Sequence, residues 1–134
     1  MRLAVLLALF LSSLAIAQTP LEEALNLYNR TQYEEALKIL LPLKVKSAPV
    51  YELIGKSYFM SGDFKRASQY FEKAIQLEPG NSSYHNWLGK AYGRRAEMAN
   101  VLAAPGLASK ARKSFEKAVE LDPRNIEATN DLLE

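Results

Sequence analysis

From Leu21 onward, apolar side chains recur at intervals of three and four residues, the spacing that places them on one side of a helix. No segment in this part alternates apolar and polar residues as a half-buried strand would. Turn-forming residues interrupt the helical spacing. Gly62-Asp63 is typical of a tight turn, and Pro79 predicts the end of a helix because proline cannot continue one. The pattern therefore predicts an all-α chain of short helices joined by tight connections.

Two of the helical stretches are near copies of each other. Residues 71–81 read FEKAIQLEPGN and residues 115–125 read FEKAVELDPRN, so that seven of eleven positions are identical. The copies lie 44 residues apart, which is a 34-residue period with ten residues added. A unit that is used twice in a short chain predicts a repeat architecture, in which each unit buries its apolar face against its neighbours.

Each copy closes a longer motif. In the first, Tyr51-x2-Ile54-Gly55-x2-Tyr58 is followed by Ala67-x3-Phe71 and then by Pro79. In the second, His85-x2-Leu88-Gly89-x2-Tyr92 is followed by Ala111-x3-Phe115 and then by Pro123. Both segments resemble the tetratricopeptide repeat, whose pattern is W-x2-L-G-x2-Y, A-x3-F and P. The resemblance implies an all-α solenoid of helix-turn-helix repeats, each made of an A helix and a B helix.

The residue types of the motif have physical reasons. Gly55 and Ala67 are small where the A and B helices are expected to cross, so that the two backbones can approach closely. Tyr58 and Phe71 are expected to fill the space on either side. The second motif has the same types of residue at the same places, namely Gly89, Tyr92, Ala111, Phe115 and the closing Pro123.

The resemblance divides the chain beyond its first 17 residues into about three repeats and a remnant. A degenerate repeat at about 18–47 precedes full repeats at 48–81 and 82–125, and a further helix starts at 126–134. Pro42 comes early in the degenerate repeat, so that we expect its B helix to be short. The remnant has no following B helix to cover the apolar side chains of Ile126, Leu132 and Leu133. We expect this edge to be frayed, packed back on the B helix of the third repeat, or shared with another chain.

The ten added residues fall in the third repeat. We expect its A helix to continue through Ala99, Pro105-Gly106 to form a turn, and the B helix to begin near Ser109. Residues 101–108 carry no charge. Two interpretations stay open for them: a longer hairpin whose apolar residues pack on their own helices, or a flap beside a ligand groove.

The first 17 residues have the features of a secretory signal. Arg2 supplies a positive charge, Leu3–Leu11 is uninterrupted and apolar, and Ala15-Ile16-Ala17 is a small-x-small cleavage site. A membrane anchor is the alternative, but spanning needs about 20 apolar residues, and the stretch at residues 3–17 is only 15 residues long and is interrupted by two serines. We therefore expect cleavage after Ala17 and an exported bacterial protein, periplasmic or secreted, with no stable membrane insertion.

Composition argues against several classes of function. The 17 Lys and Arg residues face 15 Asp and Glu residues, and loss of Arg2 with the signal would leave a net charge of +1. This balance gives no overall attraction to nucleic acid or to an anionic membrane. The chain has no cysteine, and its one histidine, His85, holds a position that is tryptophan in the repeat pattern. We expect no enzyme, no metal and no cofactor.

The resemblance implies that the A helices line a concave groove. The expected groove residues are Leu25, Tyr28, Glu52, Lys56, Phe59, Met60, Asn86, Lys90 and Arg94. Lys56 and Lys90 hold the same position in successive repeats and should lie side by side, with Arg94 one helical turn beyond Lys90. Such cations can hold a carboxylate or an acidic peptide segment by charge-assisted hydrogen bonds. The alternative is a solvated helix face. Trp87, similarly, either packs between repeats or stacks on a ligand.

The predicted function is that of an exported scaffold that binds a peptide or protein segment in this groove. The alternative is a structural module that self-associates through its incomplete C-terminal repeat. The two differ in the expected mass, because a groove binder should be monomeric without its partner whereas an assembly module should dimerise.

Overall fold

The computed structural model describes residues 17–134, so that the predicted signal lies outside the described residues except for Ala17. Residues 17–134 form seven α-helices and no strand. The helices are α1 (Pro20–Asn29), α2 (Tyr33–Leu40), α3 (Ala48–Met60), α4 (Phe64–Leu77), α5 (Ser82–Met98), α6 (Ala104–Leu121) and α7 (Ile126–Leu133). None of them is long and apolar enough to cross a membrane.

The helices form three successive hairpins, α1–α2, α3–α4 and α5–α6, and α7 follows the last of them. The first helix of each hairpin contacts the first helix of the next, so that α1, α3, α5 and α7 lie in a row. Each second helix also contacts the hairpin that follows it. This arrangement confirms the predicted all-α repeat solenoid.

Polar side chains determine where most of the helices begin. Five of the seven helices start after a residue whose side-chain oxygen accepts a hydrogen bond from the first turn, which satisfies a backbone N–H that the helix itself leaves unpaired. These residues are Thr19, Ser47, Asp63, Asn81 and Asn125. At the other ends, Pro79 and Pro123 each follow a helix by two residues, so that α4 stops at Leu77 and α6 at Leu121.

The crossing of the two helices in each full hairpin is a contact between a glycine and a phenylalanine. A Cβ atom on Gly55 would lie 2.6 Å from Cε1 of Phe71, and a Cβ atom on Gly89 would lie 2.5 Å from Cε1 of Phe115. Phe71 is fully buried, as is Ala67 one turn before it. The glycines are therefore required because a phenylalanine ring lies directly against the helix backbone. The sequence motif had suggested a different reason, the close approach of the two backbones with Tyr58 and Phe71 on either side.

The tight turns between helices use the left-handed backbone region. Gly62, between α3 and α4, has a φ angle of 84°, and Thr31, between α1 and α2, has a φ angle of 62°. Only glycine enters this region without a steric cost. Thr31 holds the same place in the first hairpin that Gly62 holds in the second, so that the first turn carries backbone strain.

The connection between α5 and α6 differs from the sequence prediction. Pro105-Gly106 does not form the turn and the helix does not begin near Ser109, because α6 already begins at Ala104. Proline is tolerated in a first helical turn, where its missing N–H has no partner in the helix. The turn lies at residues 99–103, where Oδ1 of Asn100 accepts a hydrogen bond of 2.9 Å from the N–H of Ala103.

Most of the ten added residues lengthen the two helices of the hairpin, and two of them lengthen the connection between the helices. Helices α5 and α6 have 17 and 18 residues, against 13 and 14 for α3 and α4. Leu107 packs on the core between the second and third hairpins. Val101 and Leu102 do not pack on their own helices, since they are 89% and 93% exposed at the tip. The interpretation of a fully packed insert is therefore wrong for these two residues.

The two ends of the array are less regular. Helix α2 has eight residues and stops at Leu40, before Pro42, so that this B helix is short, as its early proline predicted. At the other end, α7 packs against α6 and α5 and buries Ala128 completely. Its Ile126 and Leu133 side chains are 74% and 81% exposed.

Candidate functional site

The A-helix groove is the surface formed by α1, α3, α5 and α7, and two clefts open on it. One has a volume of about 150 Å³, lies between α1 and α3, and is lined by Leu21, Leu25, Pro49, Glu52, Leu53 and Lys56. The other has a volume of about 320 Å³ and is lined by residues that include Phe59, Lys90, Arg94, Glu97 and Asp131. Each cleft is lined by three of the nine residues that the sequence suggested for the groove.

The indole of Trp87 lies between the two lysines. The Nζ atoms of Lys56 and Lys90 are 5.1 Å and 4.9 Å from the centroid of this one ring, within the range of cation–π attraction. The same ring contacts Phe59 edge-on at 5.4 Å and stacks on Phe71 at 5.8 Å. Trp87 therefore packs between the second and third hairpins and places the two lysines side by side.

Each cation of the groove is paired with a carboxylate. Lys56 Nζ lies 2.6 Å from Glu52 Oε1, one turn earlier in α3. Arg94 Nη1 lies 2.6 Å from Glu97 Oε2, and its guanidinium lies 5.1 Å from the ring centroid of Phe64. These two pairs form within single helices, so that they fix the side-chain directions without closing the groove.

Lys90 is paired across helices, with two carboxylates of α7. Its ammonium group contacts Glu127 and lies 3.5 Å from Oδ2 of Asp131. The same Asp131 atom accepts a hydrogen bond of 3.2 Å from Nδ2 of Asn86. The carboxylates of α7 therefore occupy the positions at Lys90 and Asn86 where a ligand carboxylate was expected.

Asn86 consequently lies under α7 rather than in an open groove. It is only 2% exposed, and its Oδ1 atom has no hydrogen-bond partner among the described residues. An unpaired buried amide oxygen is costly to the fold. Sequence reasoning did not assign a role to Glu127 and Asp131. Their four-residue spacing, which matches that of Asn86 and Lys90, was the available signal.

The remaining suggested groove residues are apolar or aromatic. Leu25 and Met60 are 45% and 47% exposed. Tyr28 is half-buried and contacts the Tyr33 ring edge-on at 5.3 Å. Burial, followed by Tyr33 and Glu52, raises the pKa of Tyr28. These side chains give the α1 end of the groove an apolar character.

A second cluster of aromatic side chains forms around Tyr58, which the sequence placed beside the helix crossing, and Tyr70, to which the sequence assigned no role. Tyr58 stacks on Tyr70 at 5.6 Å, and Lys73 Nζ lies 4.8 Å from the Tyr70 ring. Burial, followed by Tyr70, raises the pKa of Tyr58, while Arg66 acts in the opposite direction. The cluster lines a shallow cleft of about 420 Å³. Tyr58 thus packs on the B helix of its own hairpin.

The groups considered for catalysis have structural contacts. His85 Nε2 lies 2.9 Å from the carbonyl oxygen of Pro79, which ties α5 to the turn before it. Among residues 17–134 there is no cluster of three His, Cys, Asp or Glu side chains that could hold a metal ion.

Comparisons with known proteins agree with this architecture. Residues 48–81 and residues 96–125 each match a family model described as tetratricopeptide repeat. No curated protein is significantly similar to this chain in sequence.

Several solved structures share the fold. The first tetratricopeptide repeat domain of Spaghetti (RPAP3), bound to the HSP90 peptide SRMEEVD, has 20% identity and a TM-score of 0.73, with 85% of each chain covered. The first such domain of human RPAP3 has 20% identity and a TM-score of 0.72, covering 85% of this chain and 84% of that one. A thermophilic tetratricopeptide repeat protein of Thermus thermophilus, TTC0263, has 17% identity and a TM-score of 0.75, covering 84% of this chain and 60% of that one.

Proposed function

Because this chain belongs to the tetratricopeptide repeat family, we propose that it is a protein-interaction scaffold whose A-helix groove binds an acidic segment of a protein or peptide. The observation that carries the proposal is the pair of lysines on Trp87, with ammonium groups 5.1 Å and 4.9 Å from one ring. Two cations held side by side on a rigid aromatic support attract carboxylates at little entropic cost.

The contacts of Lys90 support the same ligand chemistry. Its ammonium group and the Asn86 amide already hold the carboxylates of Glu127 and Asp131, so that the groove has the geometry to receive such groups. A ligand carboxylate would replace Asp131 at these positions. The peptide bound by the first domain of Spaghetti, SRMEEVD, contains two glutamates and ends in aspartate, which is the chemistry proposed here.

Affinity selection tests the proposal. A library of random heptapeptides with free C-terminal carboxylates is selected on the wild-type chain, and the selected peptides should be enriched in Asp and Glu. Lys56→Ala combined with Lys90→Ala should weaken their binding several-fold or more, since each well-formed charged hydrogen bond contributes about 1.5–3 kcal/mol. Binding should also weaken with added salt, which screens exposed charges over roughly 8–10 Å at physiological ionic strength.

A matched control removes two positive charges elsewhere. Arg112 and Lys117 form ion pairs with Glu116 and Glu120 on α6, outside the groove. Arg112→Ala combined with Lys117→Ala should leave peptide affinity unchanged. Peptides without acidic enrichment, or equal losses in the two double variants, would contradict the proposal, and the apolar residues Leu25 and Met60 would then be the better candidates.

A second candidate function is self-association through α7. The observation that favours it is the exposure of Ile126 and Leu133, which are large and apolar. Sedimentation equilibrium across the micromolar range distinguishes the two functions, because an assembly module dimerises and Ile126→Ser with Leu133→Ser should abolish the dimer. A wild-type chain that remains monomeric excludes this candidate.

We also propose that the chain is exported and cleaved after Ala17. The support is the order of Arg2, the apolar run and Ala15-Ile16-Ala17. N-terminal sequencing of the protein from the exported fraction should give Gln18 as the first residue, and a chain that still begins at Met1 would contradict it.

A further inference from the structure

We propose that the tip of the α5–α6 hairpin is a membrane-contact site, which binds a surface of anionic lipids by placing Met98, Val101 and Leu102 among the lipid headgroups. The tip lies outside the A-helix groove, so that this proposal stands independently of the proposed function.

The first observation is an unusual exposure of apolar side chains at one point. Met98, Val101 and Leu102 are 72%, 89% and 93% exposed. Residues 98–109 carry no charge at all. The polar side chain of the turn, Asn100, stabilises the turn itself, because its Oδ1 atom accepts a hydrogen bond from the N–H of Ala103. The hairpin thus presents an uncharged apolar tip that nothing in the described chain covers.

The second observation is the sign of the charges behind the tip. Between Glu97 and Glu116 the chain has three cations, Lys110, Arg112 and Lys113, and no acidic residue. On the neighbouring turn, a cleft of about 500 Å³ is lined by Lys65 and Arg95 together with Phe64, Met98 and Leu107.

The acidic side chains at this end are already neutralised. Asp63 Oδ2 lies 2.7 Å from Arg66 Nη1, and Glu97 Oε2 lies 2.6 Å from Arg94 Nη1. Arg112 is paired with Glu116, and Lys110 lies 5.5 Å from the ring centroid of Tyr92. Among the described residues, Lys110 and Lys113 form no ion pair, so that these two cations behind the tip can meet an external anion. An apolar tip with cations behind it is complementary to an anionic membrane, in which negative headgroups lie above an apolar interior.

The dimensions of the hairpin fit this arrangement. At 1.5 Å of rise per residue, Arg95 and Lys110 lie roughly 5 Å and roughly 9 Å along their helices from the turn. Side chains that enter a membrane interface are buried by about 5–10 Å. Insertion of the tip would therefore bring these cations to the level of the lipid phosphates. The contact would be peripheral, because none of the described helices can cross a membrane.

The shape of the tip favours lipid over a protein partner. Stable protein interfaces bury about 800 Å² on each partner, whereas a narrow turn offers three large apolar side chains. A bilayer surrounds a protruding tip on every side, so that a small apolar surface is covered completely.

The absence of cysteine from the whole sequence allows a clean experiment. Leu102→Cys is labelled with an environment-sensitive nitrobenzoxadiazole dye in the full chain, and Val45→Cys serves as the matched control because Val45, between α2 and α3, is also 89% exposed. Both proteins are mixed with vesicles of phosphatidylcholine alone or of phosphatidylcholine with phosphatidylglycerol. Residues 1–17 are present in every sample, so that differences between samples report on the labelled site.

The dye at residue 102 should shift to the blue and brighten with the anionic vesicles alone, and the dye at residue 45 should not change. In unlabelled protein, Val101→Ser with Leu102→Ser should lower co-sedimentation with anionic vesicles several-fold, as should Lys110→Glu with Lys113→Glu, while Val45→Ser should not. These exposed changes leave the core intact. Equal shifts with neutral vesicles, equal shifts at both sites, or unchanged co-sedimentation of the serine variant would each overturn the proposal. A dye at residue 102 that responds to a protein extract and not to anionic vesicles would overturn it in favour of a protein partner.

Discussion

Gly89 lies so close to Phe115 that a Cβ atom added to the glycine would fall 2.5 Å from Cε1 of the ring. Gly89→Ala should therefore lower the free energy of unfolding by about 1–3 kcal/mol, the usual cost of overpacking. Gly93 lies one turn later in α5 with nothing within 4 Å of its added Cβ. Gly93→Ala should raise the stability by about 1 kcal/mol, because alanine is the better helix former. Chemical denaturation measures both, and equal effects would show that the ring contact does not determine the residue at 89.

At the strained turn between α1 and α2, a change to glycine should increase the stability of the fold. Thr31 has a φ angle of 62°, which costs a residue with a Cβ atom about 1–2 kcal/mol. Thr31→Gly should raise the melting temperature, although the greater freedom of glycine in the unfolded chain offsets part of the gain. The reverse change in the equivalent turn, Gly62→Ala, should lower the melting temperature. A drop for Thr31→Gly would mean that the threonine side chain stabilises the turn.

Helix α7 should compete with an acidic ligand for the groove. Glu127→Gln combined with Asp131→Asn removes the carboxylates that contact Lys90, so that affinity for the selected acidic peptides should rise. The free energy of unfolding should fall by less than about 1 kcal/mol, because Glu127, which contacts Lys90, is itself largely exposed to solvent. Glu116→Gln combined with Glu120→Gln, on α6, is the control and should leave affinity unchanged. Titration calorimetry of the three proteins measures this, and lower affinity in the α7 variant would contradict the competition.

The tyrosines between hairpins predict a loss of stability in alkali. Burial and a hydrogen bond that Tyr92 donates to Glu72 raise the pKa of Tyr92 from 10.0 to about 12. The folded chain holds this proton more tightly than the unfolded chain. The contribution of Tyr92 to the free energy of unfolding is therefore complete below pH 10 and is lost as the pH rises from 10 to 12. Burial and a hydrogen bond with Glu78 raise the pKa of Tyr84 to about 12 as well.

Thermal melts across pH 9 to 12 check the alkaline prediction. The melting temperature of the wild-type chain should fall steeply above pH 10. Tyr92→Phe should make the fall shallower, and Tyr92→Phe with Tyr84→Phe shallower still. Parallel curves for all three proteins would show that other groups control the alkaline transition.

The fold was predictable because its main constraint is a steric contact between two residues that both belong to the repeat motif. A phenylalanine ring against a helix backbone requires glycine, and this requirement recurs as Gly55 with Phe71 and Gly89 with Phe115. The start of α6 was not predictable in the same way, because Pro105 fits either a turn or a first helical turn. The signal that favoured the helix was Asn100, whose side chain accepts from the N–H of Ala103, and an asparagine five residues ahead of a proline is a weak pattern.

The candidate site was predictable only in part. The shared repeat position of Lys56 and Lys90 was visible in the sequence, and both lie on Trp87. The pairing of Lys90 with Glu127 and Asp131 depends on how α7 packs against α5. The four-residue spacing of these two carboxylates is compatible with that packing but does not determine it. The exposure of Val101 and Leu102 could likewise not be predicted from the sequence, because an uncharged stretch is equally compatible with a packed helix.

The length of the third hairpin has a consequence for how this chain can vary. Compared with α3 and α4, helices α5 and α6 are each four residues longer, which is close to one turn of 3.6 residues on both arms. Adding a whole turn to each arm leaves every face of both helices pointing where it did before. The distance to which the hairpin projects can therefore change in steps of roughly 5 Å without rotating the side chains that form the groove. Insertions or deletions that keep this phase should be tolerated, whereas a change of two residues in one arm would put Phe115 out of phase with Gly89.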